Sequence, residues 1–217
     1  MRLIKPSEFD VGLLQFDAPD PNKRNGGGAI ALKYDDEYGL ELKIPAGRVA
    51  FDCGPSSFGE GSKLEMAIEL SRTPEFRGVR GLLAAVDNSI REHLRDNADE
   101  ISKVLTLDAG TIDTLRTGNN MKALLRPAND PKFPDRIGMK WTEKDKINIL
   151  DTEKNSVKCS SIGKGSTVEA FVNIKGIWVA KGCVTVQTEA IGLKVTDCVK
   201  PDPKKKRKVM SQDEMFD

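Results

Sequence analysis

Apolar and polar positions alternate with a period of two over most of this chain, and one central stretch switches to a helical period. Ile30, Leu32 and Tyr34 alternate with Ala31 and Lys33; after a turn at Asp35-Asp36-Glu37, Leu40, Leu42 and Ile44 alternate with Glu41 and Lys43. Successive side chains of a strand point to opposite faces, so each stripe predicts a half-buried strand. Val49, Phe51 and Cys53 repeat the pattern before a loop over 54–61, and Leu64, Met66, Ile68 and Leu70 follow with Glu65 and Glu69 on the other face. Beyond Pro74 the period becomes 3.6: Leu82, Leu83, Val86, Ile90, Leu94, Ile101, Val104 and Leu105 predict one long amphipathic helix, broken near Asn97, with a further helical turn around 111–116. The proline-rich run from Arg126 to Pro134 is a loop or an edge. Strands are then predicted around 137–141, 147–150 and 157–160. The clearest inward stripe, Val168, Ala170, Val172 and Ile174, continues through a bulge or bend at Gly176 into Ile177-Trp178-Val179-Ala180. Lys181-Gly182 turns the chain into strands at 183–190 and 193–199.

Many short strands with too little helix to cover two sheet faces predict a mainly β fold with one long helix, an antiparallel barrel closed or partly closed. The organisation read here is an arm over 1–28, a barrel domain over 29–199 with a helical insertion at about 76–117, and a disordered C-terminal tail over 200–217.

Net charge narrows the function classes. It is +1 overall, and the body without the tail is neutral, which argues against a surface coated in positive potential. The distribution is uneven: 119–181 holds twelve basic against seven acidic residues, and 60–113 holds seven against eleven. A basic half can offer a groove to phosphates while the acidic half limits unspecific attraction. No run approaches the ~18 apolar residues of a membrane span. The four cysteines, Cys53, Cys159, Cys183 and Cys198, are widely spaced with no C-x-x-C pair, so reduced thiols are expected, a zinc site needing all four to converge. No metal or cofactor is expected.

Catalytic motifs are missing: there is no G-x-x-x-x-G-K-S/T, no G-x-S-x-G and no H-E-x-x-H. His93 is the single histidine and sits on the helix as a boundary residue, which leaves no activated nucleophile and no predicted catalytic residue. Gly163-Lys164-Gly165-Ser166 reads as a turn. Aromatics beside cations are more informative. Phe171 falls on the outward face of its strand with Lys175; Trp141 follows Lys140; Trp178 lies between Lys175 and Lys181; Phe133 lies between Lys132 and Arg136. Flat rings for bases and cations for the backbone are what an unpaired nucleic-acid strand requires.

Several segments resemble a known family. Arg126-Pro127, Asp130-Pro131-Lys132-Phe133-Pro134, Met139-Lys140-Trp141, Gly165-Ser166-Thr167-Val168, Val172-Asn173-Ile174-Lys175-Gly176-Ile177-Trp178-Val179 and Gly182 are similar to the OB-fold single-stranded DNA-binding proteins of large eukaryotic DNA viruses, themselves distantly similar to the phage replication type. The resemblance covers 64–199 and implies an OB-like barrel, no catalysis, and single-stranded DNA as partner in viral replication, recombination or repair. Where that family usually carries an aromatic after the tryptophan strand, this chain has Lys181-Gly182-Cys183-Val184. On this reading Lys43, Arg48, Lys132, Arg136, Lys140, Lys158, Lys164, Lys175 and Lys181 track phosphates, and Trp141, Phe171 and Trp178 stack on bases.

The tail adds two signals. Lys204, Lys205, Lys206, Arg207 and Lys208 form a block that an import receptor reads, native or added as a tag, so the nucleus or a viral replication compartment is the expected location. Asp213, Glu214, Phe216 and Asp217 form an acidic, aromatic tip, similar to tails through which replication proteins dock on a polymerase or helicase. A second copy of the chain is a further candidate partner, and no membrane is. The rival class is a non-catalytic viral structural or scaffold protein imported into the nucleus, which the neutral body favours.

Overall fold

A computed structural model of the chain describes residues 3–22, 27–55, 63–128, 130–142, 147–180 and 182–201. Its longest strands are β11 (Thr167–Ala180) and β12 (Cys183–Asp197), an antiparallel pair joined by a tight turn. β3 (Gly28–Tyr34) and β5 (Leu40–Arg48) both run antiparallel to β11, Gly28 opposite Val179 and Arg48 opposite Thr167. They behave as one bent strand interrupted by a short excursion, in which Asp35, Asp36 and Gly39 take positive φ and β4 (Glu37–Tyr38) folds back on β3. β7 (Lys63–Leu70) pairs antiparallel with β9 (Asp135–Thr142) along its whole length.

Two narrow seams close the ring. An antiparallel bridge, Val49 to Ile68, joins the end of β5 to β7, and a parallel pair, Glu189 with Lys140, joins β12 to β9. The result is the expected mainly β, OB-like barrel with a mixed sheet, and the helices are inserted between β7 and β9. Ile30, Leu32, Leu40, Ile44, Ile68, Leu70, Ile137, Val168, Ala170, Val172 and Ile174 fill its interior. Burial of this alternating apolar set is the main stabilising term.

The long helix is present with its break where expected. α1 (Pro74–Asp96) starts on a proline, which suits a first turn, and buries Phe76, Val79, Leu82, Leu83, Val86, Ile90 and Leu94. At Asn97, which leaves helical backbone geometry, the side-chain Nδ2 donates to the His93 carbonyl (2.9 Å), and α2 (Ala98–Leu105) starts at the next residue. α3 (Ala109–Thr117) is capped by Asp108, which accepts from Thr111 N (2.8 Å), and ends on Gly118 at positive φ. His93 is half-buried, its ring stacked on Phe16 at 4.3 Å between centroids.

Several expectations are corrected. Residues 49–53 do not extend a strand: the ladder with β11 ends at Arg48, Val49 makes an isolated bridge to Ile68, β6 (Gly54–Pro55) pairs with β7, and the loop between them places Phe51 outside. Residues 157–160 form no strand; Cys159–Ser161 is a single 3-10 turn. The strands expected at 183–190 and 193–199 are one strand, which absorbs Ile191 as a bulge opposite Phe171 and Val172. Within the first 28 residues, β1 (Leu14–Phe16) and β2 (Asp20–Pro21) pair with β3, and Ile4 is buried beside Leu42. Two short parallel strands, β8 (Met121–Lys122) and β10 (Asn148–Leu150), flank β12. The thiols are not all reduced either: Cys53 is bonded to Cys159, their Cα atoms 5.8 Å apart, leaving Cys183 and Cys198 free. Lys181, the basic block at 204–208 and the acidic tip at 213–217 lie outside the described residues.

Candidate nucleic-acid interface

The outer face of the β7–β9 ladder gathers positive charge. Ile137, Met139 and Trp141 of β9 point inward, so Arg136, Gly138 and Lys140 face out, opposite Glu69, Ala67 and Glu65 of β7. Lys140 Nζ lies 3.7 Å from Glu65 Oε2. Arg126 is drawn onto the same face by a backbone pair in which Arg126 and Arg136 each donate to the other's carbonyl at 2.8 Å. The Arg126 guanidinium occupies the space a side chain would fill at Gly138, where a Cβ would stand 2.6 Å from one of its terminal nitrogens.

The acid–base behaviour of these groups reports their mutual proximity. Burial holds Lys140 below its ordinary pKa; Glu65 opposes the shift, and Arg126, Lys63 and Lys122 reinforce it. Burial likewise lowers Arg126, with Glu65 and Asp87 opposing and Arg136 reinforcing. Lys63, Lys122 and Arg126 thus lie near Lys140, Arg136 lies near Arg126, and Glu65 is the acidic neighbour that Lys140 and Arg126 share. Like charges crowded into a partly desolvated trough favour an incoming polyanion.

Two exposed rings border this face. Phe51 is 42% exposed, and the Arg136 guanidinium stands 5.0 Å from its centroid. Its loop is tied down on the far side by the Cys53–Cys159 disulfide, by Cys53 N donating to the Ile162 carbonyl (2.9 Å) and by Lys164 N donating to Asp52 Oδ1 (2.6 Å). Phe133 is 55% exposed with Lys132 Nζ 5.2 Å from its centroid, in a turn held by Asp130.

The residues singled out in the sequence do not form one trough. Arg136 and Lys140 lie on the β7–β9 face, and Lys132 lies in the loop leading into it. Trp141 is a correction: it is 3% exposed and belongs to the core, so its ring cannot meet a base. Lys43, Phe171, Lys175 and Trp178 lie around β11, which is separated from the β7–β9 pair by one strand on either side. There Lys43 pairs with Glu169 at 2.7 Å, Lys175 pairs with Glu189, and Phe171 and Trp178 are half-buried. This surface neutralises its own charge. Arg48 sits beside Gly165, and Lys158 and Lys164 flank the 3-10 turn next to the disulfide.

Phe51, Lys63, Lys122 and Arg126 were not singled out. Lys122 and Arg126 belong to the basic 119–181 stretch, and Arg126 also opens the first of the resembling motifs, which are the signals that point to them. Phe51 and Lys63 reach the site through pairing with residues about seventy to ninety positions away, which no local pattern encodes.

The fold has solved counterparts. Gp2.5, a single-stranded DNA-binding protein encoded by bacteriophage T7, aligns with a TM-score of 0.50 at 9% identity, covering 77% of this chain and 97% of that one. A single-stranded DNA-binding protein from bacteriophage Enc34 aligns at 0.49 with 11% identity, covering 94% of this chain and 99% of that one. No protein-family model matches the chain, and no curated protein matches it by sequence. The T7 likeness shows a fold of the phage type and does not support membership of the large eukaryotic DNA virus family that the motifs resemble.

Proposed function

We propose that this chain binds single-stranded DNA on the outer face of β7 and β9, without catalysis. The observation that carries the reading is the gathering of Arg126, Arg136 and Lys140 on one face of the β7–β9 ladder, with Lys63 and Lys122 close to Lys140 and the exposed Phe51 ring against Arg136. Counting β3 and β5 as one strand, β7 and β9 are the second and third strands of the barrel, the face on which OB folds hold oligonucleotides. Lysine and arginine neutralise phosphates and release counterions, and Phe51 offers a π-face to a base. That gp2.5 of T7, which has this fold, is a single-stranded DNA-binding protein supports the reading.

The setting we propose is viral DNA replication, recombination or repair, on the strength of the motif resemblance. The basic block at 204–208 serves nuclear import, and the acidic tip at 213–217 docks on a polymerase or helicase and competes with DNA for the basic trough. Deleting residues 211–217 then tightens single-strand binding at low salt; unchanged affinity defeats the competition.

The direct test is fluorescence anisotropy of labelled oligo-dT against duplex of equal length, from 50 to 200 mM salt. With about four phosphates neutralised, the expected log–log slope is roughly −3, from about −0.7 per contact on single strands. A flat response to oligo-dT at low salt overturns the assignment.

A further inference from the structure

We infer that the Arg126 guanidinium is a stacking platform for one base, laid flat on β9 because residue 138 has no side chain. The inference rests on the β7–β9 face being the single-strand site and assigns a subsite within it. A Cβ at Gly138 would stand 2.6, 3.0 and 3.3 Å from the NH1, Cζ and NH2 atoms of Arg126. Three atoms of the plane crowd one point above the strand, so the guanidinium presents a flat side to the backbone. Its other flat side faces away from the sheet.

The plane is fixed from several directions. Arg126 Nε donates to the Ala123 carbonyl at 3.3 Å, which occupies one in-plane edge. The Arg126 backbone is paired with Arg136 in both directions. The two preceding residues are clamped to helix α1: Leu124 N and Leu125 N donate to the two carboxylate oxygens of Asp87, at 2.9 and 3.0 Å. Asp87 is 2% exposed, so this anchor is shielded from water. An arginine held in this way has lost its rotamer freedom before any ligand arrives.

A guanidinium is planar, weakly hydrated and suited to stacking on aromatic faces, whereas an ammonium is a hydrated point charge. Arginine planes and aromatic rings are interchangeable as supports for unstacked bases. With Trp141 sealed in the core, Arg126 beside Arg136 and Phe51 supplies a flat surface on the ladder itself, between the rings at its border.

The test separates plane from charge. R126K keeps the charge and loses the plane; G138A keeps the arginine and lifts it off the strand. Each is titrated with oligo-dT and with an abasic oligonucleotide of equal length, and melting temperature is recorded alongside. Both substitutions should weaken oligo-dT binding by about fivefold to a hundredfold, leave abasic binding within about twofold, and leave the salt slope unchanged. Wild-type binding by R126K, with R126A losing affinity for both strands equally, would show a phosphate contact and overturn the platform alone. Failure of the wild-type protein to bind either strand overturns the interface itself. Should G138A lower the melting temperature, R126K still decides.

Discussion

Lys140 Nζ stands 3.7 Å from Glu65 Oε2 across the β7–β9 ladder, so the trough carries a counter-charge at its centre. A carboxylate there restrains the surrounding cations and opposes phosphates. Glu65→Gln should therefore tighten oligo-dT binding by up to about fivefold at low salt, since a part-exposed pair of this kind is worth about 1 kcal/mol or less. The gain should fade as salt rises. Weaker binding in the variant would mean that Glu65 contacts a base or positions Lys140.

Phe51 and Trp141 should part company in mutagenesis. Phe51→Ala is expected to cost about 1–3 kcal/mol of oligo-dT affinity and to change stability by less than about 0.5 kcal/mol. Trp141→Ala opens a core cavity and should cost about 3–5 kcal/mol of folding stability, with no loss of affinity in the fraction that stays folded. Anisotropy titrations beside chemical denaturation check both. Tryptophan quenching is a poor reporter here, because one indole is buried and the other stands away from the proposed face.

His93 gives a pH dependence. Burial holds its pKa below the ordinary 6.5, against the pull of Asp96 and Glu100. The folded state thus binds the proton less readily than the unfolded chain. The stability this contributes is complete above pH 6.5 and is lost as pH falls through the lowered folded value. Denaturation midpoints should drop in this window for the wild type, and the drop should shrink in His93→Gln. An unchanged pH profile in that variant would assign the effect to other groups.

Reduction should be felt at the interface. The Cys53–Cys159 bond closes a sequence separation of 106 residues and ties down the loop that carries Phe51. Chain entropy for such a loop is worth about 4–5 kcal/mol at most. A dithiol reductant, or Cys159→Ser, should lower the denaturation midpoint and weaken oligo-dT binding, and Phe51→Ala should lose little more affinity once the bond is gone. Full additivity of the two losses would separate the disulfide from the ring.

Much of the barrel was legible because its strands keep phase. The stripe from Val168 to Ile174 is buried as its two-residue period requires, and the 3.6-residue period from Leu82 to Leu105 became helices with the break at Asn97. The same period, applied to Ile137, Met139 and Trp141, places the indole inward; its neighbouring lysine was a misleading cue. Phase also misled at Phe51, because the chain leaves its ladder at Arg48 and alternation stops predicting sidedness. Glycine hid the rest. Gly138 reads as a gap in a strand, and only the fold reveals that Arg126 fills it.

The pairing of β3 with β11 has a temporal side. The strand that begins at Gly28 has short early partners in β1, β2 and β4, but the long strand that seats it in the barrel pairs with it only at 176–179 and leaves the ribosome far later. The helices, whose contacts are local, can form first, while Ile30, Leu32, Leu40 and Ile44 wait uncovered for the last quarter of the chain. Vectorial synthesis thus leaves the apolar face of β3 and β5 without its main cover until the closing hairpin of β11 and β12 has been made.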